Sequence, residues 1–480
     1  MKRWKVISTN VSIGVFFLLG GIEYAVIIPT LFNFVVNRFG GSNWMYGMIL
    51  SAFSFAQLFS NPLMGYLCDR SKNAKWVVIF GNLFELGGNF LYFAAPSQYW
   101  LLGARLLCGF GAGAGSAILA QIARTSTVAE RTKVFSLAMM ARQCGMLLGP
   151  AFNVFLKGLH FKIGPFQVDA FTSPGIFMAC LFLLDELMIL FLYFDQPPLS
   201  KRERDGNQTS ESTEKSPIIK SGRMNNYGTG LDEESQHTDP TVGINASCSI
   251  NASSDDEEIR IKKPKKKGFL VGILREELIV LLTAQFVVFF NQTSFETLVI
   301  PLTEELLGWG ELANSIMYGV VGLLAIIVFL LITIISKKIE DRWLMVIGIV
   351  AQTFSLVWDI GFFGQATRHT PTNLMAFIIS TFFIVSGVPF FIVSSSSLFS
   401  KLTDEETQGL TQGFRRAIAS VATIFGPLYA GGLIHNLYAT FGVMAGLVVF
   451  LAIILFMSFK TLREPSKQRR KTAELNEDSQ

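Results

Sequence analysis

The stretch GGIEYAVIIPT, from Gly20 to Thr30, lies inside the first long apolar run of the chain and carries an acid, Glu23. A second phrase of the same kind, SFETLVIPLT from Ser294 to Thr303, places Glu296 ahead of Pro301. A carboxylate in a long apolar segment is costly and usually faces a cavity or a partner. The chain therefore places an acid ahead of a proline twice, once in each half.

The composition indicates a membrane protein. The chain has 480 residues, of which 50% are hydrophobic and 16% are charged, whereas soluble proteins carry about 25% charged residues. A membrane-spanning helix needs about 20 apolar residues, and the chain has twelve blocks of that kind, too many and too long for a soluble core. Barrel strands would alternate polar and apolar residues. We therefore predict an all-α polytopic fold with twelve spans, at about residues 9–34, 45–67, 76–95, 98–122, 133–156, 173–194, 278–301, 313–335, 343–364, 373–399, 410–434 and 439–459.

The distribution of Lys and Arg predicts the topology. If both termini are cytoplasmic, the short cytoplasmic loops are strongly basic, as the positive-inside rule requires. The outer loops then carry only Arg38, Lys157, Lys162 and Arg368. The central segment is polar and too poor in apolar residues to fold. We predict four regions: an N-terminal six-helix half at 1–195, a disordered cytoplasmic linker at 196–270, a C-terminal six-helix half at 271–460 and a cytoplasmic tail at 461–480.

Several function classes have no support in the sequence. The five cysteines form no CxxC pair, and no His cluster accompanies them, so we predict no metal site. No catalytic constellation and no cofactor motif stand out, and we predict that the chain is not an enzyme. The net charge of +4 follows from the membrane topology and does not indicate nucleic acid as a partner. The predicted partners are the lipid bilayer and a small-molecule or ion substrate.

A loop motif after the second span narrows the fold. In GYLCDRSKNAK, the residues Gly65, Asp69, Arg70 and Lys75 resemble the signature loop between helices 2 and 3 of the major facilitator superfamily. Asp69 can hold a neighbouring helix N-terminus by charge and hydrogen bonding. The alternative for this stretch taken alone is an ordinary basic loop. The superfamily resemblance implies two pseudo-symmetric six-helix halves, with this loop acting as a gate.

Further phrases agree with that resemblance. RLLCGFGAGAG, in span 4, has an arginine followed by glycines whose spacing allows close helix packing. RQCGMLLGP, in span 5, resembles the Gly-Pro signature of exchangers in the superfamily, and FGPLYAGG ends span 11 with a related phrase. Such echoes six spans apart are typical of transporters with repeated halves. The predicted hinge residues are Gly145, Gly149, Pro150, Gly426 and Pro427.

The superfamily resemblance also implies the candidate site, because spans 1, 4, 7 and 10 line its central cavity. Glu23, Arg105 and Glu296 lie on three of those spans, and Arg142 lies on span 5. We expect Glu23 and Arg105, in the same half, to neutralise each other. Glu296 has no basic residue in its own span, so we predict that it is the proton-linked site. Glu85, on a peripheral span, is expected to have a structural or interfacial role.

Both helical halves resemble a smaller group within the superfamily, its lysosomal ceroid-lipofuscinosis members. The phrases that carry this resemblance are SFETLVIPLT, ISKKIEDR (Ile335 to Arg342) and STVAERT (Ser126 to Thr132). The resemblance implies a transport protein of the endolysosomal membrane, with the plasma membrane as the alternative, and it does not fix the substrate.

The linker contributes two further candidates. In EKSPII, the residues Glu214, Ile218 and Ile219 resemble a dileucine signal for sorting adaptors. The lysine-rich stretch IRIKKPKKKG, from Ile259 to Gly268, can bind anionic lipid headgroups. The alternative is that these lysines serve only as topogenic charge.

Three functions follow from these observations. The first is a secondary transporter that moves a small, anionic solute by alternating access, with proton coupling. The second is an anion-conducting channel on the same fold, in which Arg105 and Arg142 attract the ion. The third is a membrane scaffold that acts through the linker. The buried charges, which a scaffold does not need, argue against the third.

Overall fold

The computed structural model describes residues 3–128, 130–156, 158–199, 275–309, 311–363, 371–433 and 436–462. The sorting candidate, the lysine-rich stretch, nearly all of the predicted linker and nearly all of the predicted tail lie outside these residues. The described residues form a helical body in which the predicted spans are found as helices or pairs of helices. The chain therefore has the all-α polytopic fold expected from its composition.

The first six spans are built from eight helices. Between α7 and α8 a short antiparallel hairpin pairs two strands, with Lys162 opposite Gln167. This hairpin is the one local exception to the all-α expectation in the described part of the chain. The elements are α1 (Arg3–Val26), α2 (Ile28–Asn33), a π-turn (Phe34–Arg38), α3 (Asn43–Ser71), α4 (Ala74–Phe93), α5 (Gln98–Ala112), α6 (Gly115–Thr125), α7 (Arg131–Leu156), β1 (Phe161–Ile163), β2 (Phe166–Val168) and α8 (Ser173–Leu192).

The last six spans are built from six helices. A π-turn (Thr303–Leu307) follows the first of them, and a 3₁₀ turn (Glu405–Thr407) precedes the fifth. The helices are α9 (Glu276–Leu302), α10 (Glu311–Ile335), α11 (Asp341–Phe363), α12 (Pro371–Leu402), α13 (Gln408–Gly432) and α14 (Leu437–Met457).

The spans differ in how apolar they are. Within the described residues, nine helices or helix pairs are long and apolar enough to cross a membrane. The other three long helices are α3, α7 and α13, with 29, 26 and 25 residues. At about 1.5 Å per residue, each of them is also long enough to span. They are more polar because they pack between the halves, α3 against α13 and α7 against α10.

The repeated acid-proline phrase ends in the same local structure in both halves. Each span passes into a π-turn and then stops at a glycine with positive φ, Gly40 at 65° and Gly308 at 64°. The amide of the following residue bonds back six residues, Gly41 to the Val35 carbonyl (2.9 Å) and Trp309 to the Thr303 carbonyl (3.2 Å). This cap is one residue wider than the Schellman motif, and its left-handed position is one that glycine adopts at little cost. Spans 1 and 7 are therefore structural repeats.

The Gly-Pro phrases pack against the spans that carry the acids. A methyl group added at Gly145 would run into the backbone of α1 at Leu18, and one added at Gly21 would run into the Arg142 carbonyl. The equivalent pair in the second half is α9 and α13, where the Ser294 hydroxyl donates to the Gly426 carbonyl at 3.1 Å. The glycines allow backbone contact between helices, and that contact fixes where the charged residues of α7 and α9 lie.

Candidate functional site

The centre of the bundle holds a polar cluster contributed by both halves. Glu296 of α9 lies within electrostatic range of Arg142 of α7, and both influence Tyr24 of α1. The Arg142 guanidinium lies 6.0 Å from the centroid of the Tyr24 ring. Tyr318 of α10 adds a fourth polar side chain near Glu296 and is 39% exposed. We call these four residues the central cluster.

Solvent reaches the central cluster although it lies deep in the bundle. The Glu296 side chain is exposed, and its Oε1 accepts a hydrogen bond from Gln292 at 2.9 Å. Arg142 and Tyr24 are half-buried. A carboxylate and a guanidinium that water reaches in the interior of a membrane protein are typical of a cavity on a substrate path.

A second arginine faces the interior from the opposite half. Arg416 of α13 points towards α6, because a methyl group at Gly115 would meet its guanidinium. It lies within electrostatic range of Arg142 and of Glu85. Its Nη1 is buried and has no hydrogen-bond partner among the described residues. Arg142 and Arg416 therefore lie in the interior with like charges close enough to repel each other.

A second group of acids is buried within the N-terminal half. Glu23 is 0% exposed and Glu85 is 3% exposed, and the two carboxyl groups are close enough to hydrogen-bond. Asn89 donates to Glu23 Oε1 at 2.7 Å and to the Glu85 backbone carbonyl at 2.9 Å. One oxygen of each carboxyl group and the Cys108 sulfur lie within 4.8 Å of one another. We call Glu23 and Glu85 the carboxyl pair.

Arg105 lies near the carboxyl pair without forming an ion pair to it. It is 2% exposed, and its guanidinium stacks over the Phe53 ring at 4.4 Å. No ion pair within 4.0 Å joins Arg105 to Glu23 in the described part of the chain, and the Arg105 Nε has no hydrogen-bond partner there. Neutralisation of Glu23 by Arg105 therefore stays a prediction. Arg105 lies within electrostatic range of Glu85.

For Glu296 and for Glu23, the structure places a charged neighbour that the sequence did not indicate. Glu296 has no basic residue in its own span, but the packing of α7 brings Arg142 within electrostatic range. Glu23 lies beside a second carboxylate, Glu85, which its own span did not indicate. Both differences arise from tertiary packing between helices that are distant in sequence.

Glu85, expected from the sequence to have a structural or interfacial role, lies beside the site candidate Glu23. A signal was present in the sequence. Asn82, Glu85 and Asn89 recur at three- and four-residue spacing on one face of α4, and Gly81 and Gly88 lie on a neighbouring face. The glycines bring α4 into backbone contact with α5. That contact turns the polar face of α4 inward.

The predicted gate lies at the end of the bundle predicted to be cytoplasmic. Asp69 accepts hydrogen bonds from the backbone amides of Gly409 and Leu410, both at 2.7 Å, and forms an ion pair with Arg124. Gly65 packs directly on the Gly409 backbone. These contacts join α3 to the start of α13 and hold the two halves together.

The other two loop residues do not take part in that junction. Arg70 is exposed and donates to the Tyr66 hydroxyl at 3.2 Å, and the Lys75 ammonium donates to the Leu190 carbonyl at 2.6 Å. Both contacts stay inside the N-terminal half. The loop motif therefore divides into an interface pair, Gly65 and Asp69, and two residues that anchor the loop to its own half.

More contacts close the same end. The Arg124 Nε donates to the Glu405 carbonyl at 3.1 Å, and Arg131 donates to the Ser400 carbonyl at 3.0 Å. The Thr132 hydroxyl donates to Asp341 at 2.6 Å. Because cross-half hydrogen bonds cluster at this end, the structure is closed there.

These features define a class: polytopic helical membrane proteins built from two repeated halves around a polar centre. The sequence profile of the Major Facilitator Superfamily matches residues 13–358 and, in an overlapping second match, residues 281–478. The chain belongs to the Major Facilitator Superfamily. Its relatives are transporters, and the chain is accordingly a transporter by family and not an enzyme.

Similarity to individual proteins extends over nearly the whole chain. Major facilitator superfamily domain-containing protein 8 of Xenopus laevis is 22% identical over 510 residues, which cover 92% of this chain and 89% of that protein. The human organic anion transporter MFSD10 has a TM-score of 0.66 at 15% identity, covering 95% of this chain and all of the other. The proton:xylose symporter XylE has a TM-score of 0.70 at 14% identity, covering 95% and 96%. These structural likenesses establish the fold.

Proposed function

We propose that the protein is a secondary transporter that moves a small anionic solute by alternating access. The observation that carries this proposal is the placement of Arg142 and Arg416, from opposite halves, within electrostatic range of each other in the interior. Repulsion between like charges is strong where the effective dielectric constant is low. An anion bound between the two arginines removes that repulsion and holds the halves together.

Glu296 gives the site a means of proton coupling. Its carboxylate lies near Arg142 and competes with a solute anion for that positive charge. Protonation of Glu296 releases Arg142 for the solute, so solute and proton bind together. The carboxylate is accessible to solvent, which allows the proton to exchange. We propose Glu296 as the proton-linked group of the cavity on these grounds.

The closed end supplies the alternating step. In the described conformation the Asp69 junction seals the end predicted to be cytoplasmic. Opening requires that junction to break and the opposite end to close. The glycine contacts of α7 with α1 and of α13 with α9 are proposed as the hinges, with Gly145, Gly149, Pro150, Gly426 and Pro427 as the residues that accommodate the movement.

The transport proposal can be tested while the solute is still unidentified. Purified protein in liposomes is incubated with a deproteinised lysosomal extract, and the retained solutes are identified by mass spectrometry. We expect anions to be retained with wild-type protein and lost with Arg142→Gln. Arg38→Gln is the matched control, because Arg38 pairs with Asp169 at 2.6 Å in the loops predicted to be external and is not part of the central cluster. Retention that Arg142→Gln does not affect contradicts the proposal.

The anion-channel alternative predicts a different result in the same preparation. A channel gives a current in planar bilayers at fixed pH and symmetrical chloride, far above any carrier turnover. A carrier gives no such current and shows solute uptake that depends on a pH gradient. A sustained chloride current that Arg142→Gln abolishes would replace the carrier proposal with the channel.

We propose that the protein is located in the endolysosomal membrane. Support comes from the resemblance of both halves to the lysosomal group of the superfamily. The sorting candidate, Glu214 with Ile218 and Ile219, and the lysine-rich stretch that can bind anionic lipids lie outside the described residues. Replacing both isoleucines by Ala is expected to move the protein towards the plasma membrane, as measured by surface biotinylation. Unchanged lysosomal residence removes sorting adaptors that read this motif from the proposal.

A further inference from the structure

The carboxyl pair has two buried oxygen atoms that receive no hydrogen bond from the described residues. Glu23 Oε2 and Glu85 Oε2 are both buried, and neither has a hydrogen-bond partner among the described residues. Asn89 cannot supply one, because its amide group already donates to Glu23 Oε1 and to the Glu85 backbone carbonyl. Two ionised carboxylates offer each other acceptors only. A single proton between them converts one into a donor.

The charges around the pair also favour a single shared proton. Two buried carboxylates in contact cannot both remain ionised at moderate cost. Arg105, a buried arginine of this half, lies within electrostatic range of Glu85. With one proton the pair carries one negative charge, which this single cation can balance. A second negative charge depends on the other two arginines in range, Arg142 near Glu23 and Arg416 near Glu85.

We propose that Glu23 and Glu85 share one proton and form a proton site inside the N-terminal half, controlled by Arg416 of the opposite half. The site is distinct from Glu296, which solvent reaches. The groups that face the pair are Asn89 on α4, Cys108 and Arg105 on α5, Arg142 on α7 and Arg416 on α13.

Of the groups that face the pair, Arg416 is the one that belongs to the C-terminal half. It lies within electrostatic range of Glu85, and its Nη1 is unpartnered among the described residues. If the halves rock, the distance from Arg416 to the pair changes while Arg105 stays with its own half. Approach of Arg416 favours release of the proton to water as hydronium, and withdrawal favours its uptake from water. This coupling rests on the proposed alternating-access function.

Infrared spectroscopy tests the shared proton on the full-length protein in lipid nanodiscs. A protonated carboxyl group has a carbonyl stretching band that an ionised carboxylate lacks. We expect Glu23→Gln and Glu85→Gln each to remove the same band, because loss of one member leaves the other ionised. Glu296→Gln, the matched control, is expected to retain that band. Bands that respond separately to the two substitutions, or no band, contradict the proposal.

The influence of Arg416 is measured in the same way. We expect Arg416→Gln to raise the pH at which the shared band disappears by about one unit, since a nearby positive charge favours the ionised form. Arg415→Gln is the comparison, because Arg415 is 4% exposed and bonds to Gln285 at 3.0 Å and to Gln412. An equal pH midpoint in wild type and Arg416→Gln refutes control by the opposite half.

Two further measurements cover other outcomes. If the Gln variants do not fold, Cys108→Ser is expected to shift the frequency of the shared band, since its side chain lies beside the pair. Cys144→Ser on α7 is expected to leave the frequency unchanged, and equal frequencies in all three proteins contradict the proposal.

One bound metal ion per chain, detected by elemental analysis and lost in Glu85→Gln, also overturns the proposal of a shared proton. None of these measurements needs a transported solute, so failure of the transport assay is a separate result.

Discussion

Replacing Asp69 by Asn is expected to open the end of the bundle predicted to be cytoplasmic. Asp69 is the point where three contacts from other elements meet: the amides of Gly409 and Leu410 and the guanidinium of Arg124. The side chain of Asp69 is 11% exposed and that of Arg124 is 9% exposed, so solvent screens the ion pair only weakly. Asn keeps the size of the side chain and removes the charge.

The magnitude follows from the contacts that are lost. A hydrogen bond to a charged group contributes about 1.5–3 kcal/mol. Asn retains one carbonyl oxygen, so we count the loss of one backbone amide bond and of the Arg124 pair. The closed conformation then loses about 3 kcal/mol, relative to a conformation in which both contacts are already broken. At 1.4 kcal/mol per tenfold change, this shifts the equilibrium about 100-fold towards the open conformation.

Cys68 provides the assay. Its thiol is fully buried beside Asp69, and the Arg124 Nη1 donates to its sulfur at 3.6 Å. Maleimide labelling of Cys68, followed by peptide mass spectrometry, reports opening of this end. We expect faster labelling of Cys68 in Asp69→Asn, up to about 100-fold. Arg70→Gln, which alters an exposed neighbour, is expected to leave the rate unchanged.

Labelling of Cys68 at the wild-type rate in a normally folded Asp69→Asn protein would refute this prediction. Such a result would mean that the remaining cross-half contacts, such as those of Arg131 and Thr132, hold the end closed without Asp69. An equal increase in Arg70→Gln would show that labelling reports local loosening of the loop, and the assay would then say nothing about separation of the halves.

Three further predictions concern packing, proton coupling and a buried ion pair. Gly21→Ala places a methyl group against a backbone carbonyl of α7 and should lower the free energy of unfolding by about 1–3 kcal/mol. Gly20→Ala, with no atom within 4 Å, should leave the thermal unfolding midpoint unchanged. Equal midpoints for the two variants would contradict the packing. Glu296→Gln should fold and reach its membrane but lose the pH dependence of uptake; superimposable pH profiles with normal protein levels would refute its role. Lys401→Met breaks a buried ion pair with Asp341 (2.9 Å) and should cost about 3–5 kcal/mol, seen as a low folded yield; wild-type yield would show the pair to be dispensable.

The helices themselves could be predicted because each span satisfies its own backbone hydrogen bonds and needs only a long apolar segment. The echo of the acid-proline phrases also predicted a real repeat, which the structure shows as matching caps at Gly40 and Gly308. The roles of α3, α7 and α13 were harder to assign, since their polarity reflects contacts between halves.

The partners of the buried charges could not be predicted from their own spans. Glu85 meets Glu23 because α4 packs on α5 through glycines, and Arg416 lies within electrostatic range of Arg142 because α13 packs against α3 and α6 of the N-terminal half. Such pairs depend on the rotation of each helix about its axis. When either of two faces of a helix could point inward, the sequence alone does not determine which one does.

The most direct test of the central claim is an untargeted metabolite comparison of lysosomes from cells that contain wild-type protein, no protein or Arg142→Gln. The account predicts that at least one small anion changes several-fold in lysosomes without the protein. Wild-type protein should restore its level, and Arg142→Gln, at equal abundance, should not. Identical anion profiles in the three preparations, or full restoration by Arg142→Gln, would contradict transport of an anionic solute through this site.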